Sequence, residues 1–338
     1  MKLVFTICSN NYLAQAKVLG DSLLEQNPDC KMIIGLCDKL SDDIDYSFFE
    51  NIEIIPVSQI NIYCFNEIIE KYDIVELNTS IKPSFFKYLI NKYVDLETII
   101  YFDPDIQIFN NLTLIEKYLE SDDILLTPHI FKPIAIDALL PTENLFLNYG
   151  IYNLGFLALN PRSDNVKEFL NWWEERTLKI GYRRVCEGLF VDQLWVNLVP
   201  IFFDKVKILS EHGFNVAPWN LHERPLYSNK EKKYVMMDDK ALYFYHFSSY
   251  NYKNSTVLSK YYSRYSAADA SPIVLELYKQ YDAKLVDNKV AFFSDISCSF
   301  MKQPALAVAS PKQKFSIKIV DFIPPIVIKI LRKLKKFC

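Results

Sequence analysis

Apolar runs alternate with amphipathic segments along the N-terminal part of the chain. Residues 3–8 form a continuous apolar run that predicts a buried parallel strand, and a helix that ends near Gln26 follows after a polar turn. The same alternation predicts strands at 32–37, 52–57, 98–102 and 124–127, and helices at 81–93 and 114–119. It indicates a doubly wound α/β fold, in which ligands bind at the carboxyl ends of the strands.

The second half of the chain has a less regular pattern. The pattern predicts a strand at 155–159, an amphipathic helix at 166–178, a short apolar helix at 189–199, a strand at 241–247 and a helix at 272–281. We expect one domain over residues 1–254, a helical and irregular extension over 255–302 and a tether over 303–325.

The last segment, residues 326–338, has the periodicity of a basic amphipathic helix. Its apolar stripe consists of Ile326, Val327, Ile330, Leu331, Leu334 and Phe337, and its basic residues are Lys329, Arg332, Lys333, Lys335 and Lys336. This pattern predicts binding to an anionic membrane surface, and a helix that packs on the protein itself is the alternative. Pro324 and Pro325 separate the segment from the apolar run upstream, so a membrane-spanning helix is not expected.

Composition narrows the class of protein. Half of the 338 residues are hydrophobic and 23% are charged, which is typical of a globular chain, and the net charge of −3 gives no general attraction for nucleic acid. The glycines are sparse and form no Gly-rich phosphate loop, so a phosphate would have to be held by a metal, a lysine or helix N-termini. Seven scattered cysteines without a C-x-x-C motif, and no signal-peptide pattern, predict a cytoplasmic location.

The most informative chemical motif is an aspartate pair, Asp103 and Asp105, directly after the strand at 98–102. Side chains two residues apart in an extended chain lie on one face, so the two carboxylates should converge. Because like charges this close repel, a divalent cation with oxygen ligands is the expected occupant, and it could also hold a phosphate. A solvated Asp-Pro turn is the alternative.

Three further features suggest chemistry. Lys82 lies at the start of the predicted helix at 81–93, where its charge could reach a phosphate. Asp192 and Gln193 are a polar pair in an apolar segment, and a buried carboxylate requires a partner or a function. His246 ends a predicted strand among aromatic residues, a position that by itself is more typical of a core histidine than of a metal ligand.

In chain order these features resemble the nucleotide-sugar glycosyltransferases of type A (GT-A) fold, and most of all the family 8 group of glycogenin and galactosyltransferases. The shared features are a first strand followed by Asn11-Tyr12, then Lys82-Pro83, the Asp-x-Asp motif, Asn-x-Gly-x-x-x-x-Asn from Asn153, Asp192-Gln193 and His246-Phe247. Segments 126–129, 152–156, 188–193 and 215–224 look like those of bacterial surface-polysaccharide transferases. The resemblance covers roughly residues 1–250 and implies a single Rossmann-like α/β domain with a mostly parallel sheet, followed by a C-terminal helical extension.

The resemblance also implies a role for each matched position. Asp105, His246 and Asp103 would bind Mn²⁺ or Mg²⁺, and Asp103 would also contact the ribose. The donor would be bound by Thr6, Ser9, Asn11, Tyr12, Lys82 and Asn153. Catalysis at the sugar would involve Asp192 and Gln193. Two positions depart from the family pattern: Ser9 stands where relatives often carry an acidic residue that reads uracil, and Ser248 stands where a glycine usually follows the aromatic residue.

We therefore expect a metal-dependent transferase that moves a sugar from a nucleotide-sugar donor, a UDP-sugar, to a hydroxyl of a glycan or lipid-linked glycan. Retention of the anomeric configuration, a part in surface-polysaccharide synthesis and a peripheral position at the inner face of the cytoplasmic membrane are further expectations. A different D-x-D enzyme, either a nucleotidyltransferase or a phosphatase, is the alternative, although Gln107 stands where a haloacid-dehalogenase-type phosphatase carries Thr or Val. The intact acidic motif argues against a non-catalytic binding protein.

Overall fold

A computed structural model describes residues 1–229, 234–236, 240–254, 257–259, 261–264 and 270–301. The chain divides into two units, Met1–Phe300 and Met301–Cys338. The predicted tether at 303–325 and the predicted basic helix at 326–338 lie outside the described residues, so membrane binding by this tail stays a prediction. Among the described residues, no helix combines the length and the apolarity needed to cross a bilayer.

Strands and helices alternate irregularly along the described part of the chain. The strands are β1 Lys2–Cys8, β2 Cys30–Leu36, β3 Ile52–Pro56, β4 Thr98–Phe102, β5 Ile106–Ile108, β6 Ile124–Leu126, β7 Phe156–Leu159, β8 Arg183–Arg184, β9 Leu189–Phe190, β10 Val206–Ile208, β11 Leu226–Ser228, β12 Tyr234–Met236 and β13 Phe244–His246. The α-helices are α1 Leu13–Gln26, α2 Phe65–Lys71, α3 Ile74–Ser80, α4 Lys82–Lys92, α5 Thr113–Leu119, α6 Glu143–Tyr149, α7 Asp164–Ile180, α8 Val199–Phe202, α9 Pro272–Asp287 and α10 Val290–Ser294.

The main sheet has seven strands in the order β10-β6-β7-β4-β1-β2-β3. β7 is antiparallel to both of its neighbours, and the other pairings in this sheet are parallel. Every residue of β4 is buried, as are all but the first of β1, because helices cover both faces of a parallel sheet. The predicted α/β fold with a mostly parallel sheet is confirmed.

The predicted apolar helix at 189–199 is wrong. Leu189–Phe190 instead forms β9, which pairs with β8, and a 3-10 helix begins only at Leu194. Val191 has φ +41°, a left-handed backbone that a β-branched residue rarely adopts and that interrupts helical geometry. The indole N–H of Trp173 donates to the backbone oxygen of Asp192 at 2.9 Å, so the turn between the two elements is tied to α7.

The residues after 254 contribute to the core of the sheet unit. Tyr281 of α9 stacks on Phe247, with ring centroids 3.7 Å apart. Further along, the backbone N–H of Ser299 donates to Asp38, which follows β2 and is fully buried. The Asp38 carboxylate also accepts from the backbone N–H groups of Asn10 and Lys39, at 3.3 and 2.8 Å. One carboxylate therefore joins the loops after β1 and β2 to the C-terminal end of the unit.

We expect Asp38→Ala to lower the free energy of unfolding by about 3 kcal/mol or more, because buried donors that lose their acceptor cost roughly 1–3 kcal/mol each. Thermal melting of the full chain measures the loss. Asp42→Ala, which removes an exposed carboxylate from the same loop, is the matched control. Equal melting temperatures for the two variants would contradict the assignment of Asp38 as a structural link.

Candidate functional site

Three neighbouring parallel strands, β4, β1 and β2, end at the same edge of the main sheet. A pocket opens at this edge, and its floor and walls come from the loop after β1, from α3 and from the end of β4. The residues that line it are Ile7, Cys8, Ser9, Asn11, Tyr12, Ile74, Val75, Asn78, Thr79, Tyr101, Asp103 and Pro104. Four of the residues predicted to bind the donor therefore line one pocket: Ser9, Asn11, Tyr12 and Asp103.

The two aspartates and the histidine converge beside this pocket. Nε2 of His246 lies 3.1 Å from Oδ1 of Asp105 and 3.8 Å from Oδ2 of Asp103. Each of the three residues offers one ligand atom, and these atoms lie within 4.8 Å of one another. Carboxylate oxygens suit Mg²⁺ and Mn²⁺, and an imidazole nitrogen is a common ligand of transition metals, so the donor set fits a divalent cation.

A short antiparallel ladder brings His246 to the aspartates. β5 starts directly after Asp105, and β13 pairs with it so that His246 lies opposite Ile106. The backbone N–H of Phe247 then donates to the backbone oxygen of Asp105 at 2.9 Å. Residues 141 positions apart in the chain are thus placed side by side by main-chain hydrogen bonds.

The surroundings of Gly155, the glycine of the Asn-x-Gly motif, leave no room for a side chain. A Cβ at this position would lie 2.6 Å from Cε1 of His246 and 2.8 Å from Oδ1 of Asn153. Any larger residue would displace the imidazole ring or the amide. The backbone oxygen of Gly155 also accepts from the N–H of Asp103 at 2.8 Å, so the same residue holds one of the aspartates.

His246 is buried, and opposing effects act on its pKa. Burial lowers the pKa, but the charge and the hydrogen bond of Asp105 raise it, and the net result is a pKa above the ordinary value. Its ring packs edge-on against Trp219, with the centroids 5.2 Å apart. Its Nδ1 has no hydrogen-bond partner among the described residues. Nε2, which faces the aspartates, is the nitrogen that could ligate a metal.

Lys82 and Asp192 form a buried ion pair at the side of this cluster. Nζ of Lys82 lies 2.7 Å from Oδ2 of Asp192 and 4.0 Å from Oδ1 of Asp103. It also donates to the backbone oxygen of Leu154 at 3.1 Å. Burial raises the pKa of Asp192, and the neighbouring lysine partly offsets that effect. The predicted start of a helix at Lys82 is confirmed, since α4 begins there.

Gln193 and Asn153 both hold the chain segment between α6 and β7. The side-chain oxygen of Gln193 accepts from the N–H of Leu154 at 2.9 Å, and its amide N–H donates to the backbone oxygen of Tyr149 at 2.7 Å. The amide of Asn153 pairs with Nε2 of His129 at 3.2 Å, and its oxygen accepts from Gly155. Both side chains brace the backbone of this segment, and their predicted roles at the donor sugar stay predictions.

Thr6 is not among the residues that line the pocket, whereas Ser9, Asn11 and Tyr12 are. Thr6 is fully buried inside β1, and its hydroxyl oxygen has no hydrogen-bond partner among the described residues. The hydroxyl of Ser9 donates to the backbone oxygen of Cys37 and accepts from Nδ2 of Asn78, each at 3.1 Å. The Ser9 side chain is thus held by protein partners, and Asn11 and Tyr12 form the more open part of the same wall.

Sequence reasoning missed Tyr101. Its hydroxyl donates to Oδ1 of Asp103 at 2.7 Å, and its ring lies under Nζ of Lys82, which is 4.1 Å from the ring centroid. Burial and the charge of Asp103 raise the pKa of its phenol. The spacing carried a usable signal, because Tyr101 and Asp103 are two residues apart in an extended segment and so share a face.

No protein-family model matches the chain. The uncharacterized protein YfnF of Bacillus subtilis (strain 168) is 26% identical over 283 residues, which cover 81% of this chain and 89% of YfnF. The galactosyltransferase LgtC, solved in complex with donor and acceptor sugar analogs, is 16% identical with a TM-score of 0.45, covering 84% of this chain and 95% of that chain. The glycosyltransferase GlyE of Streptococcus pneumoniae TIGR4 is 13% identical with a TM-score of 0.46, covering 88% of this chain and 66% of that chain.

We expect the affinity for Mn²⁺ to fall as the pH is lowered. A metal binds the neutral imidazole, so protons compete for Nε2 of His246, and its raised pKa places this competition above the ordinary range near pH 6.5. Calorimetric titrations with Mn²⁺ alone, between pH 8 and pH 6, should show a loss approaching about tenfold per pH unit at the acid end. His246→Gln should bind more weakly and lose most of this dependence. An affinity that does not change with pH would exclude His246 as a ligand.

Proposed function

We propose that the chain is a metal-dependent glycosyltransferase that takes a sugar from a nucleotide-sugar donor. The observation that carries the proposal is the convergence of Asp103, Asp105 and His246 at the end of β4, at the mouth of a pocket whose wall holds Asn11 and Tyr12. A site with this layout can hold a nucleoside at one end and its diphosphate at a cation. A UDP-sugar is the donor that the sequence resemblance favours.

The chemistry expected at the cation is charge stabilisation. A divalent ion held by Asp103, Asp105 and His246 would offset the negative charge that develops on a departing nucleoside diphosphate. These three residues fix where the diphosphate lies, and Lys82, 4.0 Å from Asp103, adds a positive charge on the side of the sugar. The protein thus separates the end that binds the nucleoside from the end where the glycosidic bond breaks.

Asp192 and Gln193 are the proposed groups at the reacting sugar. An anomeric carbon that loses its leaving group becomes positively charged, and a nearby carbonyl or carboxylate oxygen can stabilise it. Both side chains have fixed orientations in the structure, Asp192 through Lys82 and Gln193 through the backbone of Tyr149 and Leu154. Retention of the anomeric configuration is proposed on the sequence resemblance.

The acceptor and the cellular role are proposed from the sequence. A hydroxyl of a glycan or lipid-linked glycan would receive the sugar, in the synthesis of a surface polysaccharide. The basic segment at 326–338 would hold the enzyme at the inner face of the cytoplasmic membrane, close to such an acceptor. Deleting 326–338 should release the protein from anionic vesicles and leave the hydrolysis of the donor in solution unchanged.

We expect the wild-type chain to hydrolyse a nucleotide sugar slowly in the presence of Mn²⁺ and to lose this activity in a chelator. Asp105→Ala should reduce the rate at least about 100-fold, since loss even of a residue that only supports a metal ligand costs 10- to 100-fold. A panel of nucleotide sugars and nucleoside triphosphates separates the two enzyme classes, because a glycosyltransferase releases a nucleoside diphosphate from a nucleotide sugar and a nucleotidyltransferase releases inorganic diphosphate from a triphosphate. Asp42→Ala is the control. Full activity in a chelator, or turnover of triphosphates alone, would contradict the proposal.

The ion pair between Lys82 and Asp192 gives a separate prediction. Lys82→Met alone should lower the free energy of unfolding by roughly 3–5 kcal/mol, because it leaves a carboxylate buried without a partner. The double variant Lys82→Met/Asp192→Leu removes both charges and should regain much of that stability while its hydrolysis of the donor stays lost. Chemical denaturation measures the stability, and the release of nucleoside diphosphate measures the hydrolysis of the donor. A double variant that regains activity together with stability would return both residues to a purely structural role.

A further inference from the structure

Tyr101 makes a directed contact with the proposed metal cluster and is not itself one of the three ligands. It lies in β4, it is 3% exposed, and its hydroxyl donates to Oδ1 of Asp103 at 2.7 Å. Asp103 has 31% of its side chain exposed, so packing alone holds it less tightly than its neighbours. The hydroxyl is therefore a contact that can fix the rotation of this carboxylate.

The two oxygens of Asp103 have different surroundings. Oδ1 accepts from Tyr101, while Oδ2 lies 3.8 Å from Nε2 of His246. A carboxylate with one oxygen held by a phenol presents the other to a cation in a defined direction. Hydrogen bonds of this kind to metal-binding carboxylates orient the ligand and are a recurring part of metal sites.

The Tyr101 ring has its own supports. Phe5 packs against it edge-on at 5.2 Å, Phe86 lies at 6.5 Å, and Nζ of Lys82 lies over one face at 4.1 Å. A ring held on several sides cannot swing its hydroxyl away from Asp103. These contacts involve the ring and not the hydroxyl, so Tyr101→Phe removes the hydrogen bond and keeps the packing.

We propose that Tyr101 is a positioning residue, which directs Oδ2 of Asp103 toward the bound divalent cation through its hydroxyl. This inference rests on the proposed function, because it requires a cation at Asp103, Asp105 and His246. A role confined to filling the core would need only the ring.

The test is the affinity of Tyr101→Phe for Mn²⁺ alone, measured by calorimetry without nucleotide. We expect the dissociation constant to rise about tenfold or more, in the range seen when residues that support metal ligands are removed. Tyr93→Phe is the matched control, because the Tyr93 hydroxyl also donates to a carboxylate, Oε2 of Glu53 at 2.8 Å, and Glu53 lies in β3, three strands away from β4 in the main sheet. Melting of the metal-free proteins checks that the fold is kept. A dissociation constant within twofold of the wild-type value would overturn the inference.

A double-mutant cycle with Asp103→Asn tests the route of the effect. If Tyr101 acts through Asp103, Tyr101→Phe should change Mn²⁺ binding far less in the Asp103→Asn background than in the wild type. An equal change in both backgrounds would overturn the proposed route. The two proposals fail differently: a wild-type chain that does not bind Mn²⁺ overturns the metal site itself, whereas a wild type that binds and a Tyr101→Phe variant that binds equally well overturn only the role of Tyr101.

Discussion

The repulsion between carboxylates at the end of β4 is the constraint on which the site depends. Asp103 and Asp105 lie beside each other, and Asp192 adds a third acidic group linked to them through Lys82. Two like charges 4 Å apart repel by about 4 kcal/mol at an effective dielectric constant of 20. The ammonium group of Lys82 offsets part of this charge. A divalent cation would complete the balance, which is why this arrangement favours metal binding over a solvated turn.

A set of buried, hydrogen-bonded polar side chains behind His246 supports the geometry of the cluster of Asp103, Asp105 and His246. The side chain of Asn215 donates to Asn153 and to Thr127, at 3.0 and 2.8 Å, and Asn153 pairs with His129. Trp219 donates its indole N–H to the backbone oxygen of His129 and packs on His246. Because buried polar groups are costly unless they are paired, a connected set of this kind selects one arrangement of the loops. Segment 215–224, which contributed to the resemblance in the sequence, thus supports the site from behind.

The pattern of apolar and polar residues predicted those strands and helices whose form is set by nearby sequence. The bounds of β4 match the prediction, and the end of this strand gives the aspartates their position. The proximity of His246 to them was predicted through the order of motifs and is seen in the structure, while ligation itself stays a prediction. The helix at 189–199 was wrong because a left-handed Val191 and the contact with Trp173 are set by the surrounding fold. The link from Asp38 to Ser299 spans 261 positions, and no local signal could indicate it.

The position of Lys82 couples the two ends of the proposed reaction. Its Nζ lies 2.7 Å from Oδ2 of Asp192 and 4.0 Å from Oδ1 of Asp103. The ring of Tyr101 lies beneath the same ammonium group, and the hydroxyl of that ring holds Asp103. Lys82 therefore lies between Asp192 and a residue of the proposed cation site, so a change on either side alters the electrostatics of the other.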